Sequence, residues 1–230
     1  MSFPQPQAWL YSWVDTDSPG YRKVNISGAD VTVSAGFRRW PDYIAAVNSA
    51  VSAVNGSYFC VAGDTGGCRL SGAATITWTD RLGWLLGMGA EPGTNAGANT
   101  FTDSIQVAPG AVPLLSASWK RIDRKSEEKL MVARHLRGHG YVYGGADLWR
   151  WRLTMHVSAL ASFRAGFCLS GKVTVSSYAP ASFGSDAAFS KSNPDGYVDG
   201  HVIGVSGGKW LDDTRTIWVC NLIIAREVTT

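Results

Sequence analysis

The sequence predicts a mainly β, α+β protein: antiparallel sheets in a β-barrel-like body, with a small helix-plus-hairpin module in the N-terminal half. Three observations carry this reading. Short runs of alternating or continuous apolar residues, bounded by Gly, Pro, Asn, Asp and Ser, recur along the chain as strands do. Helical spacing of apolar residues is confined to a few short stretches. The 26 glycines and 10 tryptophans among 230 residues suit many turns anchored by large aromatic side chains.

The first element is an aromatic strand over Ala8–Val14, bounded by prolines and by the turn-rich Asp15–Gly20. It pairs within its own subunit or extends as an arm onto a neighbour. Tyr21–Ile26 and Val31–Ala35 alternate around Ser27-Gly28-Ala29-Asp30, a hairpin pattern. A helix is predicted over 41–55. Pro41 suits the first helical position and Asp42 the first turn, while Ile44, Val47, Val51 and Val54 form one apolar stripe and Asn55-Gly56 a stop. A hairpin over 57–79 follows, with strands Ser57–Ala62 and Cys68–Thr79 around the turn 63–67, then a short helix over 80–87 ending in glycine. The helix stripe is expected to pack on the hairpin, with Leu82, Leu85 and Leu86 closing the far side.

Gly89–Thr100 reads as a loop and sets the expected boundary between an N-terminal module, 1–100, and a β-rich domain, 101–230. In the second part Phe101–Val107 suits a short strand, and the charged patch Lys120–Lys129 a solvated loop or sheet edge. Strands at Leu130–Leu136 and Leu148–Met155 bracket a turn within Arg137–Asp147. In the second of these, period two puts Trp149, Trp151 and Leu153 on a core face and Arg150, Arg152 and Thr154 on the other. Leu160, Phe163, Arg164 and Phe167 give a helix over Val157–Phe167. Strands follow at Cys168–Ser176, Val198–Val205 and Thr216–Arg226, the last with Ile217, Val219, Asn221, Ile223 and Ala225 on one alternation; 179–196 is a long loop.

Composition narrows the function classes. Lys+Arg 21 against Asp+Glu 18 leaves a net charge of +3, too small to argue for nucleic acid or an anionic membrane. Base stacking with phosphate tracking is one reading of the Trp/Arg interleaving at 149–152, and the same balance argues against it. No apolar run reaches the roughly 18 residues of a membrane span. The first residues lack the basic start and apolar run of a signal peptide, so assembly in the cytoplasm is expected. Cys60 and Cys68 flank a turn where a disulfide is geometrically open; Cys168 and Cys220 read as buried thiols.

Catalytic and cofactor chemistry has no foothold in the motifs. His135, His139, His156 and His201 lack metal-site spacing. Gly63–Gly67 lacks the Lys and Ser/Thr of a phosphate loop, and Gly138-His139-Gly140 reads as a hairpin turn. Asp195 with Asp199 and Asp212-Asp213 are the candidate divalent-ion carboxylates, with turn chemistry the simpler account. The chain is read as a non-enzyme with no cofactor and no metal. A charged fraction of 17% with abundant Trp suits an obligate assembly component. The candidate intersubunit contacts are Trp9, Tyr11 and Trp13 on the N-terminal strand and Arg150 and Arg152 on the arginine face, with loops 89–100 and 179–196 reaching to neighbours.

The stretch Tyr21–Met88, with Gly36 leading into an Ala/Val/Asn-rich helix, a hairpin and the closing Arg81-Leu82-Gly83-Trp84-Leu85-Leu86-Gly87, resembles a module of tailed-bacteriophage virion structural proteins. The second half is similar in style to tail, baseplate, distal-tail and tail-tube subunits. The resemblance implies a virion protein forming a cyclic ring or tube at the tail, bound to other tail and baseplate proteins and without catalytic residues. The alternative is a head decoration protein or a receptor- or glycan-binding virion protein.

Overall fold

The computed structural model describes residues 5–17, 20–54, 59–62, 68–71, 75–78, 81–87, 93–96, 107–122, 147–166, 171–177 and 198–226. The expected strands at 101–107 and 130–136, the turn within 137–147 and the loop 179–196 lie wholly or almost wholly outside them. The fold is mainly β. In chain order the strands are β1 (Ala8–Asp15), β2 (Lys23–Ile26), β3 (Ala29–Thr32), β4 (Phe37–Arg39), β5 (Phe59–Ala62), β6 (Cys68–Ser71), β7 (Thr75–Trp78) and β8 (Gly93–Ala96). They continue as β9 (Ala111–Leu114), β10 (Ser116–Arg121), β11 (Asp147–His156), β12 (Lys172–Ser176), β13 (Val198–Trp210) and β14 (Ile217–Arg226). Among the described residues three helices interrupt them: α1 (Trp40–Ser52), α2 (Leu82–Leu85) and α3 (Val157–Gly166).

An eight-stranded sheet runs β10-β11-β14-β13-β12-β1-β4, with β9 also paired to β1, and all of its ladders are antiparallel. The sheet curls without becoming a closed barrel. Instead one bent run returns: its first half, β9, pairs β1, and past Leu115 its second half, β10, pairs β11. Pro113 stands inside β9 opposite Trp9. It is tolerated because among the described residues β9 has β1 as its one strand partner, so a missing N–H leaves no second ladder incomplete. That proline is why sequence reasoning passed over this strand.

Strand β1 is the wall between two cores. Ala8 and Leu10 face one, with Leu153, Met155, Leu160, Phe163, Val173, Val175 and Leu222. Trp9 and Tyr11 face the other, with Trp40, Tyr43, Val47, Val51 and the plug Leu82, Leu85 and Leu86. Burial on both faces explains a continuous apolar run where a half-exposed strand would alternate. It also answers the arm-or-body alternative: β1 is folded onto its own chain. β1 and β4 share the large sheet with strands from beyond residue 100.

Within the module, α1 starts at Trp40 with Pro41 and Asp42 in its first turn and ends at Ser52, short of the predicted 55. Ile44, Val47 and Val51 are buried, but Val54 lies past the helix end and is 45% exposed, so it leaves the expected stripe. The predicted second hairpin strand, Cys68–Thr79, is two strands. β6 pairs β5, whereas β7 joins β2, β3 and β8 in a separate four-stranded sheet. The β2–β3 turn is two residues, Ser27 and Gly28, both at positive φ, as a tight hairpin requires. Register also decides the disulfide question: Cys68 lies opposite Ala62 and Cys60 opposite Leu70. The two cysteines are offset by two positions, and Cys68 is a buried thiol.

The alternation expected in the last strand is present, with both of its faces packed. Cys220, Leu222 and Ile224 face the main core with α3, and Ile223 and Ala225 pack with Ile122 and Leu148 on the opposite face.

Candidate interaction surfaces

Among the described residues no group of three or more His, Cys, Asp or Glu is placed to hold a metal. Of the singled-out histidines, His135 and His139 lie outside the described residues. His156 immediately precedes α3; its Nδ1 accepts the Ser158 backbone N–H at 3.3 Å and lies 2.7 Å from Ser158 Oγ. That is a helix cap, satisfying one of the donors every helix start leaves over.

Of the singled-out carboxylates, Asp195 lies outside the described residues, and Asp199 and Asp212 are in structural use. Asp199 receives Arg39 through two nitrogens, at 2.9 and 3.2 Å, and the Thr174 hydroxyl at 2.6 Å. This fork ties β4 to β13 across β1 and β12. Asp212 closes the β13–β14 turn: its oxygens accept the hydroxyls of Thr214 and Thr216 and the backbone N–H groups of Thr216 and Ile217. Those hydrogen bonds, led by the two hydroxyls, hold its carboxyl well below the usual carboxylate range.

The five candidate contact residues divide into three environments. Trp9 and Tyr11 are 3% and 0% exposed and stack with Trp40, at 6.4 Å between successive rings, so the single chain does not offer them to a neighbour. Trp13 is half-buried; Lys172 Nζ sits 4.0 Å from its ring centre, Arg39 Cζ 5.3 Å, and the Phe37 ring packs at 5.0 Å. Its Nε1 donates to Thr174. Arg150 and Arg152 are exposed, while Trp151 and Leu153 are buried and Trp149 packs against the core, as the period-two reading requires.

Two surface features were not singled out from the sequence. Beyond Val202, β13 runs past the end of β12, so Gly204–Trp210 have β14 as their one strand neighbour among the described residues. Val205 on this extension is 53% exposed, and Leu211, just past its end, 48%. Strand β10 exposes Ser116, Ser118 and Lys120 beside the arginines of β11. The alternation Ser116, Ser118, Lys120 against Ala117 and Trp119 is the signal that could have revealed it.

No helix is long and apolar enough to cross a membrane among the described residues. No family model, curated protein or solved structure matches this chain.

Proposed function

We propose that the chain is a structural subunit of a tailed-phage virion, a ring- or tube-forming component of the tail or baseplate assembled in the host cytoplasm. The reading starts from the resemblance of Tyr21–Met88 and of the β-rich second half. The observation that carries it further is the β13–β14 extension, with an edge not covered by β12 and exposed Val205 and Leu211. An edge strand with exposed apolar side chains is a natural subunit contact. The bulges between Val202 and Gly204 and between Ser206 and Lys209 restrict which neighbour can pair there. Head decoration or glycan binding has less support: no described Trp or Tyr is exposed, and Lys172 already occupies the Trp13 ring.

Sedimentation velocity and negative-stain microscopy of the purified chain test the proposal. Closed rings or stacked tubes are the expected products, with each subunit burying well over roughly 1,000 Å². A monodisperse monomer at high concentration refutes it, as does an assembly unchanged by Val205→Asp with Leu211→Asp.

A further inference from the structure

We propose that the outer face of the β10-β11-β14-β13 part of the large sheet binds the phosphate backbone of double-stranded nucleic acid, without reading its sequence. Residues directly opposite one another on antiparallel strands share a face. The register therefore lines up three rows: Lys120, Arg150, Ile223 and Gly204; Ser118, Arg152, Asn221 and Ser206; Ser116, Thr154, Val219 and Lys209. Lys120, Arg150, Arg152, Lys209 and the three serines are exposed, whereas Ile223 and Val219 of the central strand are buried between them. These rows hold four cations and no carboxylate.

Among the described residues none of the four cations makes an ion pair or side-chain hydrogen bond. Several cations elsewhere are engaged: Arg22 on a carbonyl, Arg38 on carbonyls and hydroxyls, Arg39 on two carboxylates, Lys172 on a ring. Lys120 and Arg150 are moreover directly opposite, an arrangement that repels. Arg150 and Arg152 project from one strand roughly 6.8 Å apart. A polyanion laid across the face would relieve this repulsion. The chain-wide balance of 21 against 18 is a sum and says nothing of how charge is distributed.

The rest of the face selects the kind of polyanion. Ser, Thr and Asn beside Arg and Lys are the side chains that contact phosphate and sugar oxygens. No aromatic residue stands in the three rows, which disfavours a single strand whose bases must stack. A duplex offers about one charge per 1.7 Å of axis, enough to engage all four cations at once, and a folded acidic protein rarely matches that density.

The test is fluorescence anisotropy with a labelled mixed-sequence DNA duplex between 50 and 200 mM salt. Four phosphate contacts give a log K against log [salt] slope of about −3.6, a weakening of about 150-fold over that range. Arg150→Ala with Arg152→Ala should cut the slope to about −1.8, or about 12-fold, while Arg150→Lys with Arg152→Lys retains it. Lys23→Ala, an exposed cation off the face, should change nothing. No binding at 50 mM salt overturns the proposal, as does a slope the double alanine variant leaves unchanged in a protein with the parent's circular dichroism. Binding to polyglutamate but not to DNA overturns it too and identifies an acidic protein partner.

Discussion

Gly110→Ala should be among the most damaging single-methyl changes in this protein. A Cβ built on Gly110 lies 1.6 Å from Trp40 Cδ1, 2.2 Å from Nε1 and 2.6 Å from Cγ. Carbon atoms in contact sit about 3.5–4.0 Å apart, so the ring must withdraw by about 2 Å. Neither partner can yield easily. Gly110 is held by its carbonyl, which accepts the Ser12 N–H at 2.9 Å. Trp40 is fully buried, stacks on Tyr11 and donates Nε1 to the Leu85 carbonyl at 3.3 Å. Overpacking costs about 1–3 kcal/mol, the displaced hydrogen bond about 1, and the lost stacking about 0.5–1.5. The sum is about 2.5–5.5 kcal/mol, a large part of the roughly 5–15 kcal/mol that holds a domain folded. Urea unfolding of the four proteins in a double-mutant cycle with Trp40→Val measures it. In the Trp40→Val background the alanine should cost under about 0.5 kcal/mol, because the ring it strikes is gone. A Gly110→Ala protein within about 0.5 kcal/mol of the parent, or an equal loss in both backgrounds, refutes the reasoning.

Three other outcomes follow from the same geometry. Val51→Asp buries an unpaired charge at a fully buried position and should cost about 3–5 kcal/mol, whereas Val54→Asp, 45% exposed, should stay within about 0.5; thermal melts of the pair discriminate. Asp212 is charged and hydrogen-bonded in the folded turn with a depressed pKa, so its contribution is fully present above the ordinary value of 3.8 and is lost only as pH falls toward the folded value. An NMR titration should find its carboxyl still ionised at pH 3, and Asp212→Ala should abolish amide-exchange protection at Thr216 and Ile217. Burial pushes the Cys220 thiol up to about 11, leaving about one thiolate in a thousand at pH 8. A thiol reagent should modify it in the native protein no faster than global unfolding allows, and immediate labelling would contradict its burial.

Local rules sufficed wherever one element's own residues decide the outcome. Pro41, Asp42 and the Ile44–Val47–Val51 spacing determined α1, and the Trp/Arg alternation determined which side of β11 is core, because a helix start or a half-exposed strand needs only its own period and caps. The plug Leu82, Leu85 and Leu86 was legible for the same reason. What covers a face belongs to another part of the chain. Ala8–Asp15 is buried on both sides, so its sequence carries no inward or outward direction, and its partner β12 lies about 160 residues away. The break inside Cys68–Thr79 is likewise a choice between two sheets, made by which ladder each half completes. The cation face is the furthest case: Lys120, Arg150, Arg152 and Lys209 sit on three strands and become one surface only through the register that sets those strands side by side.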